Sequence, residues 1–252
     1  SNPLLNFYYY KLNVETAGNL LRLSSPLLGL KQSGNSYLID TIAYAQYIKS
    51  DFEYKKYFVV NKSSSYVCRI FIGAGLPLVN RKALPFDRSF FAGGSNSIRA
   101  WRARALGPGN VADTSTFGID QVGELQLEMN LEYRFDLIKQ LEGALFVDIG
   151  NIWFWNDESQ PKANFNMTTF YKAIAIAPGA GVRLNLNFFV IRLDAGFQLK
   201  DPNLPEGERW AFFQPKTITN SYRQEWRINN SNPNLPNWRP ETTLNLAIDY
   251  PF

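Results

Sequence analysis

Histidine is absent from this sequence, and cysteine occurs only once, as Cys68. The lack of histidine excludes a Ser-His-Asp triad, Cys-His catalysis and metal sites with histidine ligands. A single cysteine cannot form a disulfide within the chain. Catalysis by carboxylates alone stays open, because the 252 residues include 22 Asp and Glu.

Long hydrophobic runs are also missing. No stretch of 18 or more apolar residues occurs, which excludes a transmembrane helix. Charged residues make up only 19% of the chain, and aromatic residues reach 15%, whereas soluble domains carry roughly 25% charged residues. The net charge of +4 is mild and no basic run stands out, so nucleic acid is not an expected partner.

What the sequence does contain is alternation of polar and apolar residues. Between Glu124 and Asp136 every second residue is polar and those between are apolar. Successive side chains of a strand point to opposite faces, so this segment predicts a strand with one polar and one apolar face. Seven other segments show related patterns. The eight predicted strands are residues 7–18, 47–60, 65–75, 124–136, 141–153, 172–187, 190–200 and 242–252.

The lengths of these segments favour a membrane barrel. Most of them have 11 residues or more, whereas strands of soluble proteins usually have about 5–6 and membrane strands need about 9–11. Alternation then means apolar side chains towards lipid and polar ones towards the lumen. We expect aromatic girdles at 7–9, 153–155 and 250–252. The prediction is an all-β antiparallel transmembrane β-barrel, with about eight strands present; a soluble β-sandwich is the alternative.

Long and short connections alternate between the predicted strands. The long connections are residues 18–45, 77–121, 156–171 and 201–241, and short turns lie near 61–64, 137–140 and 187–189. Long loops on one rim and short turns on the other are typical of bacterial outer-membrane barrels. The bacterial outer membrane is therefore the predicted location of the chain.

The longest loop contains an unusual centre at residues 90–101. It carries the pair Gly93-Gly94, which allows backbone conformations closed to other residues, followed by Ile98-Arg99-Ala100-Trp101. An arginine buried in a barrel lumen would need a carboxylate beside it. Asp148, on the polar face of its predicted strand, is the candidate partner.

These residues resemble the BamA/TamA superfamily of outer-membrane protein assembly factors and their translocator relatives. The resemblance covers nearly the whole chain and corresponds to the C-terminal half of a sixteen-stranded barrel. Residues 90–101 are similar to the tip of the family's inward-folded sixth extracellular loop. Arg99-Ala100-Trp101 takes the place of an Arg-Gly-aromatic sequence, so the alanine changes only the local backbone. Residues 99–109 look most like the TamA-like (TamL) branch of Bacteroidetes-type bacteria.

The resemblance implies which residues hold the loop. Phe146-Val147-Asp148-Ile149-Gly150 is similar to the family strand whose aspartate pairs with the loop arginine, and Gly150 leaves room for close backbone approach. On the neighbouring strand the family places a loop-holding glutamate. The candidates for that glutamate are Glu124, Glu128 and Glu132.

The C-terminal segment resembles the signal by which barrel strands are recognised during assembly. Its apolar positions run through Leu246, Ile248 and Tyr250 to the terminal Phe252. Pro251 cannot donate a hydrogen bond to a strand ladder, so it would weaken the seam where the barrel closes. A proline in a frayed chain end would look the same.

The resemblance also implies a function. Residues 1–252 would be the C-terminal portion of a barrel domain, without the POTRA domains that precede it in the family. The protein is expected to insert or translocate client proteins through a lateral seam, without a cofactor, a metal or catalysis. Expected partners are outer-membrane lipid and client outer-membrane or secreted proteins; periplasmic or lipoprotein partners and a homodimer of half-barrels stay open. The alternatives are a passive pore or transporter barrel, and a lipid-active or hydrolytic barrel.

Overall fold

The structure is a computed structural model that describes residues 6–111, 121–138, 140–186, 188–204, 206, 209–211 and 242–248. Its elements in chain order are β1 (Phe7–Ala17), α1 (Asn19–Ser24), β2 (Gln32–Ser33), β3 (Ser36–Ile39), β4 (Ile42–Ala43), β5 (Tyr47–Asn61), β6 (Ser64–Pro77), β7 (Leu125–Ile138), β8 (Leu141–Trp153), β9 (Ala175–Asn185), β10 (Val190–Phe197) and β11 (Thr242–Ile248). Short 3-10 turns cover Phe86–Arg88, Pro161–Ala163 and Phe170–Ala173.

The eight long strands form one antiparallel sheet in the order β1-β5-β6-β7-β8-β9-β10-β11. Each strand pairs with its neighbours along the chain, which confirms the predicted all-β antiparallel fold. Among the described residues β1 and β11 each have a partner on one side only, so the sheet is not closed. None of the helices within this part of the chain is long and apolar enough to cross a membrane.

The two faces of the sheet are arranged as the alternation predicts. In β7, Glu128, Asn130 and Glu132 are buried, whereas Met129 and Leu131 between them are 42% and 43% exposed. A soluble sheet would bury the apolar face instead. Apolar side chains outside and polar ones inside are the pattern of a membrane barrel wall.

The connection between β6 and β7 covers the polar face. The ring of Phe90 packs where Gly73 of β6 has no side chain, and Leu84 does the same at Gly75. Gln126 at the start of β7 donates to the carbonyl of Phe91, at 2.8 Å. This loop supplies most of the main apolar cluster, which consists of Phe90, Ala92, Ile98, Ala100, Trp101, Leu106, Ile152, Ala175 and Ala177.

Three details differ from the sequence prediction. The strand predicted from residue 172 begins at Ala175, because Phe170–Ala173 forms a 3-10 turn. The girdle prediction is wrong for Trp153, which is 1% exposed and packs against the rings of Phe165 and Phe170. A small three-stranded sheet, β2-β3-β4, and α1 occupy the first long connection, where nothing was predicted.

Candidate functional site

The loop tip, residues 93–101, is a compact turn that begins with two glycines. Gly93 and Gly94 have φ angles of +100° and +93°, which side chains rarely tolerate. The N–H of Gly94 donates to the carbonyl of Trp101 at 2.7 Å, and that of Gly93 donates to the hydroxyl of Ser97 at 3.1 Å. These bonds fold the tip back on itself and present Arg99 to the wall.

Arg99 is fully buried and bound to two strands of the wall. Its Nε and Nη2 each donate to one carboxylate oxygen of Asp148 at 2.8 Å, and its backbone N–H donates to Oδ2 at 3.0 Å. Its Nη1 donates to Oε2 of Glu132 at 2.6 Å. Because a two-pronged arginine–carboxylate pair fixes orientation as well as distance, the tip is held in one position on β7 and β8.

The neighbours of Asp148 complete the seat for the tip. The guanidinium carbon of Arg99 lies 3.3 Å from the centre of the Phe146 ring, a cation–π contact. At Gly150 a Cβ atom would lie 3.1 Å from Cδ1 of Ile98. The absence of a side chain at Gly150 therefore lets Ile98 pack closely against β8. Trp101 is 4% exposed in the apolar cluster beside it.

The three candidate glutamates have separate roles. Glu132 binds Arg99 and also accepts from Arg134 at 2.7 Å. Glu128 binds Arg69 at 2.9 Å and accepts a short hydrogen bond from Ser97 of the tip. Both therefore hold the loop, one at the arginine and one at the turn.

Glu124 does not reach the tip. It precedes β7, and its Oε2 accepts the backbone N–H of Trp155 at 3.1 Å. Burial raises the pKa of its carboxyl and nearby Asp157 adds to this, although the Trp155 N–H opposes the shift. Glu124 therefore belongs to the long-loop rim of the sheet.

Other buried polar residues reach the tip without having been predicted to do so. Asn130 donates to both Asp148, at 2.9 Å, and the carbonyl of Ser97, at 2.9 Å. Arg192 donates to Oδ1 of Asn96 at 2.8 Å. Alternation had placed both on the polar face, but only the folded position of the loop identifies what they bind.

Further charged side chains surround Arg99 and the two carboxylates that bind it. Asp194 of β10 lies 3.7 Å from Nη1 of Arg99, and Arg183 of β9 lies 2.8 Å from Glu132. All four side chains are 0% exposed. No group of three or more His, Cys, Asp or Glu in the described ranges is placed to hold a metal ion.

The predicted C-terminal signal is described only in part. Leu246 and Ile248 lie on the outer face of β11, 74% and 70% exposed, opposite Leu193 and Ile191 of β10. Tyr250, Pro251 and Phe252 lie outside the described residues. A seam weakened by proline therefore stays a prediction.

The comparison with protein-family models shows which family this chain belongs to. A sequence model described as the Omp85 superfamily domain matches residues 29–217, which include the loop tip, Asp148 and its neighbours. The chain belongs to the Omp85 superfamily. This membership confirms the resemblance to BamA and TamA at the level of the superfamily and places the chain among outer-membrane β-barrel proteins. The TamA-like branch stays a prediction.

Solved structures with similarity to this Omp85 chain include BamA and CdiB. BamA from Haemophilus ducreyi lacking POTRA domains 1–3 has 16% identity and a TM-score of 0.48, over 68% of this chain and 34% of that one. CdiB from Acinetobacter baumannii has 17% identity and a TM-score of 0.40, over 63% and 24%. This chain thus spans about a third or less of the length of either protein.

Proposed function

We propose that this Omp85 chain is part of an outer-membrane factor that inserts or translocates client proteins through a lateral seam of its barrel. Superfamily membership and the lipid-facing sheet support the proposal. The observation that carries it is the loop tip, fixed on the inner wall through Arg99, Asp148 and Glu132.

A strand edge supplies the proposed mechanism. The backbone groups of a client strand cannot enter lipid unpaired without a large cost. The edge of the described sheet at β11 offers the hydrogen bonds of one more strand, as in other cases of strand addition. The client would therefore pair with this edge while it moves from the lumen side into the membrane.

The loop tip would brace the wall during this exchange. A buried ion pair adds little net stability, but a two-pronged pair restricts geometry. Arg99 joins the loop to β7 and β8, and Arg192 of β10 holds Asn96. These three strands, β7, β8 and β10, would thus keep their arrangement while the edge at β11 exchanges partners.

We further propose that this factor works without chemical catalysis. The buried carboxylates of the wall are occupied by arginines: Glu128 by Arg69, Glu132 by Arg134 and Asp148 by Arg99. Because the oxygens of these three carboxylates accept hydrogen bonds from arginines, they are not placed to act on a substrate. Client partners and lipid are the expected ligands.

Reconstitution into lipid vesicles tests the proposed function. The full protein is incorporated, an unfolded outer-membrane barrel client is added, and its folding is followed by protease resistance while leakage of a small dye is recorded. We expect faster client folding with little dye leakage. Large steady leakage with no acceleration of folding would overturn the proposal in favour of a passive pore.

A further inference from the structure

Side chains of β11 and of Gln198, the residue after β10, hold the loop tip by its backbone. The hydroxyl of Thr243 donates to the carbonyl of Ala100 at 2.7 Å, and the side-chain amide of Gln198 donates to the same oxygen at 3.0 Å. The amide of Asn245 donates to the carbonyl of Arg99 at 2.7 Å. Two neighbouring carbonyls of the tip thus take three hydrogen bonds from this corner of the sheet.

The alternation of polar and apolar residues in β11 places the side chains that make these contacts on the polar face. Thr243 and Asn245 alternate with outward leucines, so both point to the polar face. Thr243 lies opposite Gly196 of β10. A Cβ atom at Gly196 would lie 2.8 Å from backbone atoms of Arg99 and Ala100, so the glycine provides the space in which the tip reaches β11.

These contacts connect β11 to strands that it does not touch. Arg99 is held by Asp148 on β8 and Glu132 on β7, while its own carbonyl receives Asn245. Within the described residues β11 has one strand partner, β10, along seven residue pairs. The loop tip is therefore a second support for the strand at the edge of the sheet.

We infer that Thr243 and Asn245 are positioning residues that clamp β11 to the loop tip, so that anchoring of Arg99 controls how readily β11 opens. The inference rests on the proposed function in one respect, since this is an edge at which a client would pair. If the tip is released, β11 should separate from β10 more readily. If the tip is bound to the wall, β11 should stay paired with β10.

Hydrogen–deuterium exchange of the full protein in lipid bilayers tests the clamp. Thr243→Val keeps the shape of the side chain and removes its hydroxyl, whereas Thr243→Ser keeps the hydroxyl. Loss of one hydrogen bond should speed exchange of the β11 amides about two- to tenfold in the valine variant. The serine variant should exchange at the wild-type rate. Asn245→Leu, which removes the donor at similar size without adding a charge opposite Asp194, should repeat the valine result.

A distant variant separates a clamp from a local defect. Asp148 lies on β8, which β9 and β10 separate from β11 in the sheet, yet Asp148→Asn should speed exchange of the β11 amides through the loosened tip. The amides of β1, which β5 and β6 separate from the anchor strand β7 in the sheet, should be unaffected. Faster exchange confined to residues 93–101 would overturn the inference, as would unchanged exchange of β11 in both Thr243→Val and Asn245→Leu.

Client folding measured on the same variants distinguishes the two proposals. Faster β11 exchange together with unchanged client folding would uphold the clamp and count against the proposed function. Unchanged β11 exchange together with lost client folding would remove the clamp and leave the proposed function in place.

Discussion

At the scale of single residues, Arg99 shows what sequence can and cannot foresee. A buried arginine needs a carboxylate, and the family resemblance pointed to Asp148. Glu124, Glu128 and Glu132 alternate along one face of one strand, so nothing in the sequence chooses among them. The pairing register of β7 and β8 distinguishes them. Asn130 lies opposite Asp148 and Glu132 lies opposite Phe146, so Glu132 is placed beside the guanidinium of Arg99.

The ion pair predicts a strong coupling between its two members. Asp148→Asn alone should lower the free energy of unfolding by about 3–5 kcal/mol, because it removes the negative charge that compensates the buried guanidinium of Arg99. In an Arg99→Met background the same change should cost much less. Urea unfolding of the four proteins in lipid vesicles measures this cycle. Equal costs in both backgrounds would show that the pair is not coupled.

Gly196 predicts a steric effect at the same site. Gly196→Ala places a methyl group 2.8 Å from the backbone of the tip, and such overpacking costs about 1–3 kcal/mol. Proteolysis of the loop should therefore become faster. Ala180→Val is the control, because it adds methyl groups on the exposed outer face of β9; it should leave the loop protected. Equal protection in both variants would contradict the close contact.

At the scale of elements, period-two alternation located all eight strands of the main sheet. The segment 141–153 coincides with β8, because a membrane wall requires long strands with two distinct faces. The small strands β2, β3 and β4 escaped prediction, since two to four residues are too few to show a period. Trp153 was misplaced because burial under a loop and exposure to lipid both favour an aromatic residue.

The outer face of β7 predicts a depth-dependent response to charge. Leu131→Arg, near the middle of the strand, should cost about 2–4 kcal/mol, whereas Leu137→Arg, near the short turn, should cost about 0–1 kcal/mol. Both leucines are exposed, at 43% and 50%, so burial within the protein does not separate them. Urea unfolding in lipid vesicles compares the two. Equal costs would contradict the assignment of this face to lipid.

At the scale of the whole molecule, the loop tip on the inner face of the sheet bears on how many strands the closed barrel needs. A closed barrel of eight strands is filled by its own side chains, yet here the loop tip occupies the polar face. We therefore expect the closed wall of the whole protein to contain more than eight strands. The sixteen strands that the family resemblance implies stay a prediction, and alternation alone does not give a strand number for the closed barrel.

The two edges of the described sheet, at β1 and β11, make a prediction for residues 1–252 expressed by themselves. Unpaired strand edges associate with other edges, so two copies should pair and give a particle of about twice 28.8 kDa. Light scattering in detergent, corrected for bound detergent, measures this mass. A stable particle with the mass of a single chain would contradict edge pairing.

The most direct test of the account is the rate at which the full protein folds a client into lipid vesicles when Arg99 is changed. Arg99→Met should slow client folding by about tenfold or more, since it leaves the buried carboxylate of Asp148 without its arginine and frees the tip from β7 and β8. Arg102→Met, an exposed arginine in the same loop, should fold the client at the wild-type rate. Wild-type rates for Arg99→Met, in a barrel that remains folded, would contradict the account.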